Sequence, residues 1–69
     1  MPYYNLKRMS DEQEFATAAA TDAEALFYFS RDAGEQLTLD GDGPPPYLLG
    51  KRMEPLGWVD LNIAVYAAS

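Results

Sequence analysis

This chain of 69 residues contains neither cysteine nor histidine. A domain so small leaves much of its surface in water and commonly needs a disulfide, a structural metal, an oligomer or a bound partner to hold it together. Disulfides are impossible here and zinc sites built on Cys or His are excluded. The fold must therefore rest on an apolar core, with self-association or a partner as the remaining supports. The same two absences remove the side chains that most often do acid–base, nucleophilic and transition-metal work. A hydrophobic content of 48% with 13% aromatics is too rich for a disordered acidic chain, because disorder goes with low hydrophobicity and few aromatics. One folded domain over residues 1–69 is the expectation. No apolar run approaches the ~20 residues that span a bilayer. The start, Met-Pro-Tyr-Tyr-Asn-Leu-Lys-Arg, has no apolar signal-peptide core, so a cytoplasmic location is expected.

Periodicity assigns the elements. Val59, Leu61, Ile63, Val65 and Ala67 alternate with Trp58, Asp60, Asn62, Ala64 and Tyr66, the pattern of a half-buried strand. Residues 47–53 read as a second strand, and Glu54-Pro55-Leu56-Gly57 as the turn between them. Pro2 to Met9 forms another strand, with Tyr4 and Leu6 toward the core and Tyr3 and Lys7 outward. Thr21-Asp22-Ala23-Glu24 matches the capping box that opens a helix, Glu24 reaching back to the cap. Leu26, Phe29, Ala33 and Leu37 recur at helical spacing as the buried stripe, and Gly34 offers a stop. Glu24, Tyr28, Arg31, Asp32 and Glu35 are left outside.

Two readings compete for Ser10 to Ala20. Ser10-Asp11-Glu12-Gln13 is itself a capping-box match, and alanine favours helix. A single helix from Asp11 to Gly34 would span roughly 36 Å against roughly 23 Å for a seven-residue strand, overhanging any sheet this chain can build. The second cap at Thr21 points the same way, toward a strand over Glu14 to Ala20. The expected fold is α+β: a small antiparallel sheet of three to four strands packed on one helix, in the order ββαββ, with βαββ as the alternative. Residues 39–46, Leu-Asp-Gly-Asp-Gly-Pro-Pro-Pro, form a loop, since glycines and consecutive prolines exclude regular structure.

Charge is distributed unevenly. Nine of the 11 acidic residues lie between Ser10 and Pro46 against a single basic residue, Arg31, although the net charge of the whole chain is −6. Lys-Arg-Met occurs twice, at 7–9 and 51–53. If the strands holding the two triplets are neighbours, the basic residues would gather opposite the acidic helix and loops.

No catalytic constellation is present. Asp40-Gly41-Asp42-Gly43 resembles the opening of a calcium loop, but Pro44 and Pro45 follow and Lys51 stands where the closing glutamate belongs. A turn explains it. Asp11, Glu12 and Glu14 are carboxylates on a short turn, without the cleft that paired-carboxylate hydrolysis requires. Ser10 and Ser30 have neither a histidine nor a nucleophile elbow. No enzyme activity, cofactor or metal is expected. A deficit of basic residues also removes the driving force for holding phosphate backbones.

The reverse relation fits the charge better: carboxylates can stand in for phosphates before a protein that handles nucleic acid. Glu24, Asp32 and Glu35 on the helix, with Asp11, Glu12, Glu14, Asp40 and Asp42 beside it, are candidates for such contact, and Tyr28 is their aromatic anchor. The sheet face turned from the helix is a second candidate, where Trp58, Tyr66 and Tyr3 either line up as an interface or, for Trp58, fold over the core. This combination of size, acidity, absent catalytic residues and a strand followed by Thr21-Asp22-Ala23-Glu24-Ala25-Leu26 resembles the small phage-encoded anti-CRISPR proteins. The resemblance implies a non-enzymatic inhibitor that binds a CRISPR effector complex in the host cytoplasm and blocks its nucleic-acid binding or cleavage step. The alternative is a homodimeric structural or regulatory interaction module with no nucleic-acid-related target.

Overall fold

The computed structural model describes residues 2–68. Its strands are β1 (Tyr3–Arg8), β2 (Glu14–Ala18), β3 (Leu37–Thr38), β4 (Tyr47–Glu54) and β5 (Gly57–Ala67), with one helix, α1 (Asp22–Ala33), between β2 and β3. All pairings are antiparallel, in the spatial order β2-β1-β4-β5-β3. The architecture is α+β, with five strands rather than three or four. The additional strand is β3: Leu37, expected to continue the helical stripe, instead pairs with Ala67 of β5. The chain leaves the helix at Gly34, which adopts φ 74° and donates its N–H to the Ser30 carbonyl at 3.0 Å. That left-handed conformation suits a residue without Cβ.

The Ser10–Ala20 ambiguity resolves as hairpin plus strand. Arg8 donates its backbone N–H to Gln13, closing the β1–β2 turn, and Asp11 accepts the Gln13 N–H at 3.1 Å. The Asp11 side chain thus builds a turn where the Ser10 capping box offered a helix start, a competition short polar residues often win. The cap at Thr21 forms as expected: its hydroxyl accepts the Glu24 N–H at 3.1 Å. Glu24 reaches back one residue further than anticipated, to the Ala20 N–H at 3.1 Å.

Tyr4, Leu6, Leu49, Val65 and Phe29 are buried to within 1% of full enclosure, joining the inner sheet face to the helix through Ala25 and Leu26. The sheet curls because neighbouring strands use unequal numbers of residues. Leu6, Leu49 and Ile63 form one row across β1, β4 and β5, and Tyr4, Arg52 and Val59 form the next. Between these rows β1 advances two residues, β4 three and β5 four. The extra residues fall at Gly50 and at Leu61-Asn62, where Asn62 takes a left-handed φ of 51°. Bulges bend a strand and increase its twist, and asparagine is among the residues that tolerate this conformation.

The curl explains why β5 alternates cleanly in sequence but not in burial. Val65 is buried and Leu61 and Ile63 are half-buried, whereas Val59 is 41% exposed. Helix α1 starts beside Tyr4, whose hydroxyl donates to Asp22 at 2.7 Å, and ends where the Leu37 N–H donates to the Ser30 hydroxyl at 3.0 Å. It therefore crosses the sheet diagonally, from β2 to β3, and leaves the Val59 corner uncovered.

Candidate functional site

Local geometry divides the acidic residues into neutralised and unneutralised groups. Asp11 is clamped by Arg8, whose Nε and Nη2 donate at 3.0 and 2.8 Å, and Arg8 also donates to Gln13 at 2.7 Å. These guanidinium bonds, helped by the Gln13 N–H, hold the Asp11 pKa down to about 2. Glu12 lies 3.3 Å from Lys7 Nζ. At the other end of β1 and β4, Arg52 bridges Asp22 at 3.3 Å and Glu54. The hydroxyl of Tyr4 joins this network, and burial, then its bond to Asp22, raise the Tyr4 pKa. Lys51 stands opposite Asp60 in register.

This arrangement corrects the expected charge segregation. The strands carrying the two Lys-Arg-Met triplets are neighbours, as the expectation required. They run antiparallel, so Arg8 pairs with Tyr47 at one end while Arg52 pairs with Tyr4 at the other. The two arginines thus lie apart, each beside carboxylates, while Lys7 and Lys51 share one depression with Glu14 and Asp60, and no purely basic flank forms.

Among the described residues, four of the acids without an ion pair lie on the stretch from the last turn of the helix to the loop after β3, while Glu14, Glu24 and Asp60, also without one, stand elsewhere. Asp32 occupies that last turn, Glu35 follows the Gly34 cap, and Asp40 and Asp42 follow β3. All four are exposed, and none has a basic side chain within ion-pairing distance among the described residues. Asp32 and Glu35 also sit at the negative end of the helix dipole, which disfavours carboxylates by about 0.3–1 kcal/mol each. Nothing in the fold's own stability calls for acids at these positions.

The loop carrying Asp40 and Asp42 is held in place. Gly41 lies against the Tyr66 ring so closely that a Cβ there would meet Tyr66 Cγ at 2.3 Å, and the Tyr66 hydroxyl donates to the Gly43 carbonyl at 3.1 Å. Glycine at 41 is thus a matter of close approach, with the two aspartates fixed on either side of the contact.

The residues singled out from sequence therefore occupy several places. Asp11 and Glu12 lie in the β1–β2 turn within ion pairs, and Glu14 opens β2. Glu24 is committed to the cap. Tyr28 is half-buried against the core, and Tyr66 is engaged by the chain's own loop. Asp32 and Glu35 share the acidic end with Asp40 and Asp42, while Trp58 is 51% exposed at the far end of β5. Sequence reasoning missed Phe27, which is 61% exposed on α1 and meets Tyr28 edge to face at 5.6 Å between ring centroids. Its position one residue off the Leu26–Phe29 stripe was the available signal. Ser30, weighed earlier only as a nucleophile, ties helix to sheet: its hydroxyl donates to the Leu26 carbonyl at 2.7 Å and accepts from Leu37.

Among the described residues, no group of His, Cys, Asp and Glu is placed to hold a metal ion, and no helix is long and apolar enough to cross a membrane. On the outer sheet face, a depression of about 280 Å³ is lined by Asn5, Lys7, Glu14, Lys51, Asp60 and Asn62, among others, with lysines and carboxylates in balance. No protein family matches this chain, and neither does any curated protein or solved structure.

Proposed function

We propose that this protein is a non-enzymatic inhibitor that engages a nucleic-acid-handling protein through the acidic end formed by Asp32, Glu35, Asp40 and Asp42, with a CRISPR effector complex as the specific target class. One observation carries the reading: these carboxylates have no ion-pair partner among the described residues, two of them where the helix dipole opposes them, while Asp11, Glu12 and Asp22 of the same central stretch are matched with arginine or lysine and Glu24 is committed to the helix cap. Lysines and arginines that bind phosphates would find carboxylates presented on a capped helix and a tethered loop, and complementary charge accelerates such association. Phe27 supplies an exposed aromatic on the same helix, of the kind that anchors interfaces.

The test is affinity capture from a lysate containing CRISPR effector complexes, comparing the natural chain with the variant Asp32→Lys/Glu35→Lys. The natural chain should retain an effector complex, and bound guide or target nucleic acid should compete with it. The variant should lose most of that retention. Retention unaffected by the two substitutions, or a captured protein that has no affinity for nucleic acid, would overturn the proposal. The same variant should be more stable than the parent by about 0.3–1 kcal/mol per site at low salt, because it places cations at the helix C-terminus. Thermal unfolding measures this and separates lost binding from lost folding.

A further inference from the structure

Strand β5 is 11 residues long, yet β3 covers only Tyr66 and Ala67. Its other side pairs with β4 from Gly57 to Val65. Over that length, among the described residues, one backbone edge of β5 faces no strand and no loop backbone bonds to it. Open edges of this kind template further pairing unless proline, lysine or a bulge blunts them. The bulge at Asn62 interrupts the edge midway. The run Gly57-Trp58-Val59-Asp60-Leu61 on its near side has no proline, no lysine and one charge.

The side chains at this end are apolar and unusually exposed. Leu56, in the turn, is fully exposed, Trp58 51% and Val59 41%; Val59 is bare because the diagonal helix does not reach this corner, and Trp58 points to the opposite face of the sheet. Tyr3, 56% exposed, falls in the same row, since Tyr4, Arg52 and Val59 align and Met53 pairs with Trp58 one step further. Local charge is balanced between Lys51 and Arg52 on one side and Glu54 and Asp60 on the other. Asp32, Glu35, Asp40 and Asp42 flank β3 in the chain, and β3 pairs with the opposite end of β5.

We propose that a second copy of this chain adds antiparallel along Gly57–Leu61, with the two-fold axis beside Val59, joining two sheets into one. Independent of the function proposed above, this occupant follows from the register. With the axis at Val59, Trp58 stands opposite Asp60 of the other copy, Gly57 opposite Leu61, and Val59 opposite Val59, so no like charges face each other. An axis at Asp60 would oppose two carboxylates. The axis at Val59 also places the two acidic ends at the outer limits of the dimer, where the net −6 of each copy repels least. A chain without disulfides gains by self-association one of the supports open to it.

Sedimentation velocity over a rising concentration series, with amide hydrogen exchange on the same samples, tests the inference. The natural chain should shift from monomer to dimer, and the alternate amides within Trp58 to Leu61 that face the open edge should gain protection as it does. Val59→Lys sets two lysines against each other across the axis at an exposed position, and should weaken the dimer by more than about tenfold. A monomer at the highest concentration, a dimer insensitive to Val59→Lys, or a dimer whose concentration-dependent protection lies elsewhere would each overturn it. The exchange measurement on the natural chain decides the matter even if the variant fails to fold.

Discussion

Asp11 illustrates how much a single side chain here does for local structure rather than for surface charge. Its carboxylate accepts two bonds from Arg8 and one from the Gln13 backbone, so its charged form is favoured in the folded state and its pKa falls from 3.8 to about 2. A carboxyl whose folded pKa lies below its unfolded value adds stability that is present above the unfolded pKa and lost as pH falls through the folded one. Acid unfolding should therefore steepen between about pH 4 and pH 2, and Asp11→Asn should flatten that limb in a circular-dichroism titration. An unchanged acid limb would mean that the clamp is too exposed to matter, since surface pairs are often worth little. Asp11, Glu12 and Glu14 looked from sequence like one acidic group. Their separation was not legible, because pairing with Lys7 and Arg8 depends on the hairpin closing and not on any property of the triplet itself.

At the scale of elements, the capped helix, the β1 strand and the β4–β5 hairpin were legible because each carries a local signal: a capping box, alternation, and a Pro-Gly turn. Strand β3 was not. Two residues have no periodicity, and Leu37 pairs with Ala67 only because the helix delivers it there. The 39–46 loop was readable as a loop but not as a tethered one, since the Tyr66 contact joins residues more than 20 apart in sequence. That contact makes a prediction. Gly41→Ala drives a Cβ into the Tyr66 ring and should release the loop, costing about 1–3 kcal/mol and weakening partner capture through displaced Asp40 and Asp42. Combining it with Tyr66→Ala should remove the clash, so the double variant should lose less stability than the two single effects summed. Additive losses in a thermal-unfolding cycle would deny the contact.

The whole molecule has two unlike ends, and salt should tell them apart. Capture through unpaired carboxylates is a long-range attraction that screening weakens, as the Debye length falls from about 30 Å at 0.01 M to about 8 Å at 0.15 M. Self-association through a neutral, apolar edge is opposed by the −6 carried by each copy, and screening relieves that repulsion. Raising salt should therefore loosen partner capture while tightening the dimer. Capture and sedimentation measured over one salt series check this, and parallel trends would show that a single surface serves both.

The amino-acid sequence by itself determined the α+β class, the helix start at Thr21, the core contribution of Tyr4 and Leu6, and the charge total, because these follow from residue type and short-range spacing. Only the tertiary structure decided which acids are cancelled, since antiparallel pairing of β1 with β4 sends Arg8 and Arg52 to opposite ends, each toward its own carboxylates. It likewise decided that part of β5 is left open. The helix is too short to cover the curled sheet and crosses it on a diagonal, so one corner stays bare, and no local pattern in the chain encodes that direction.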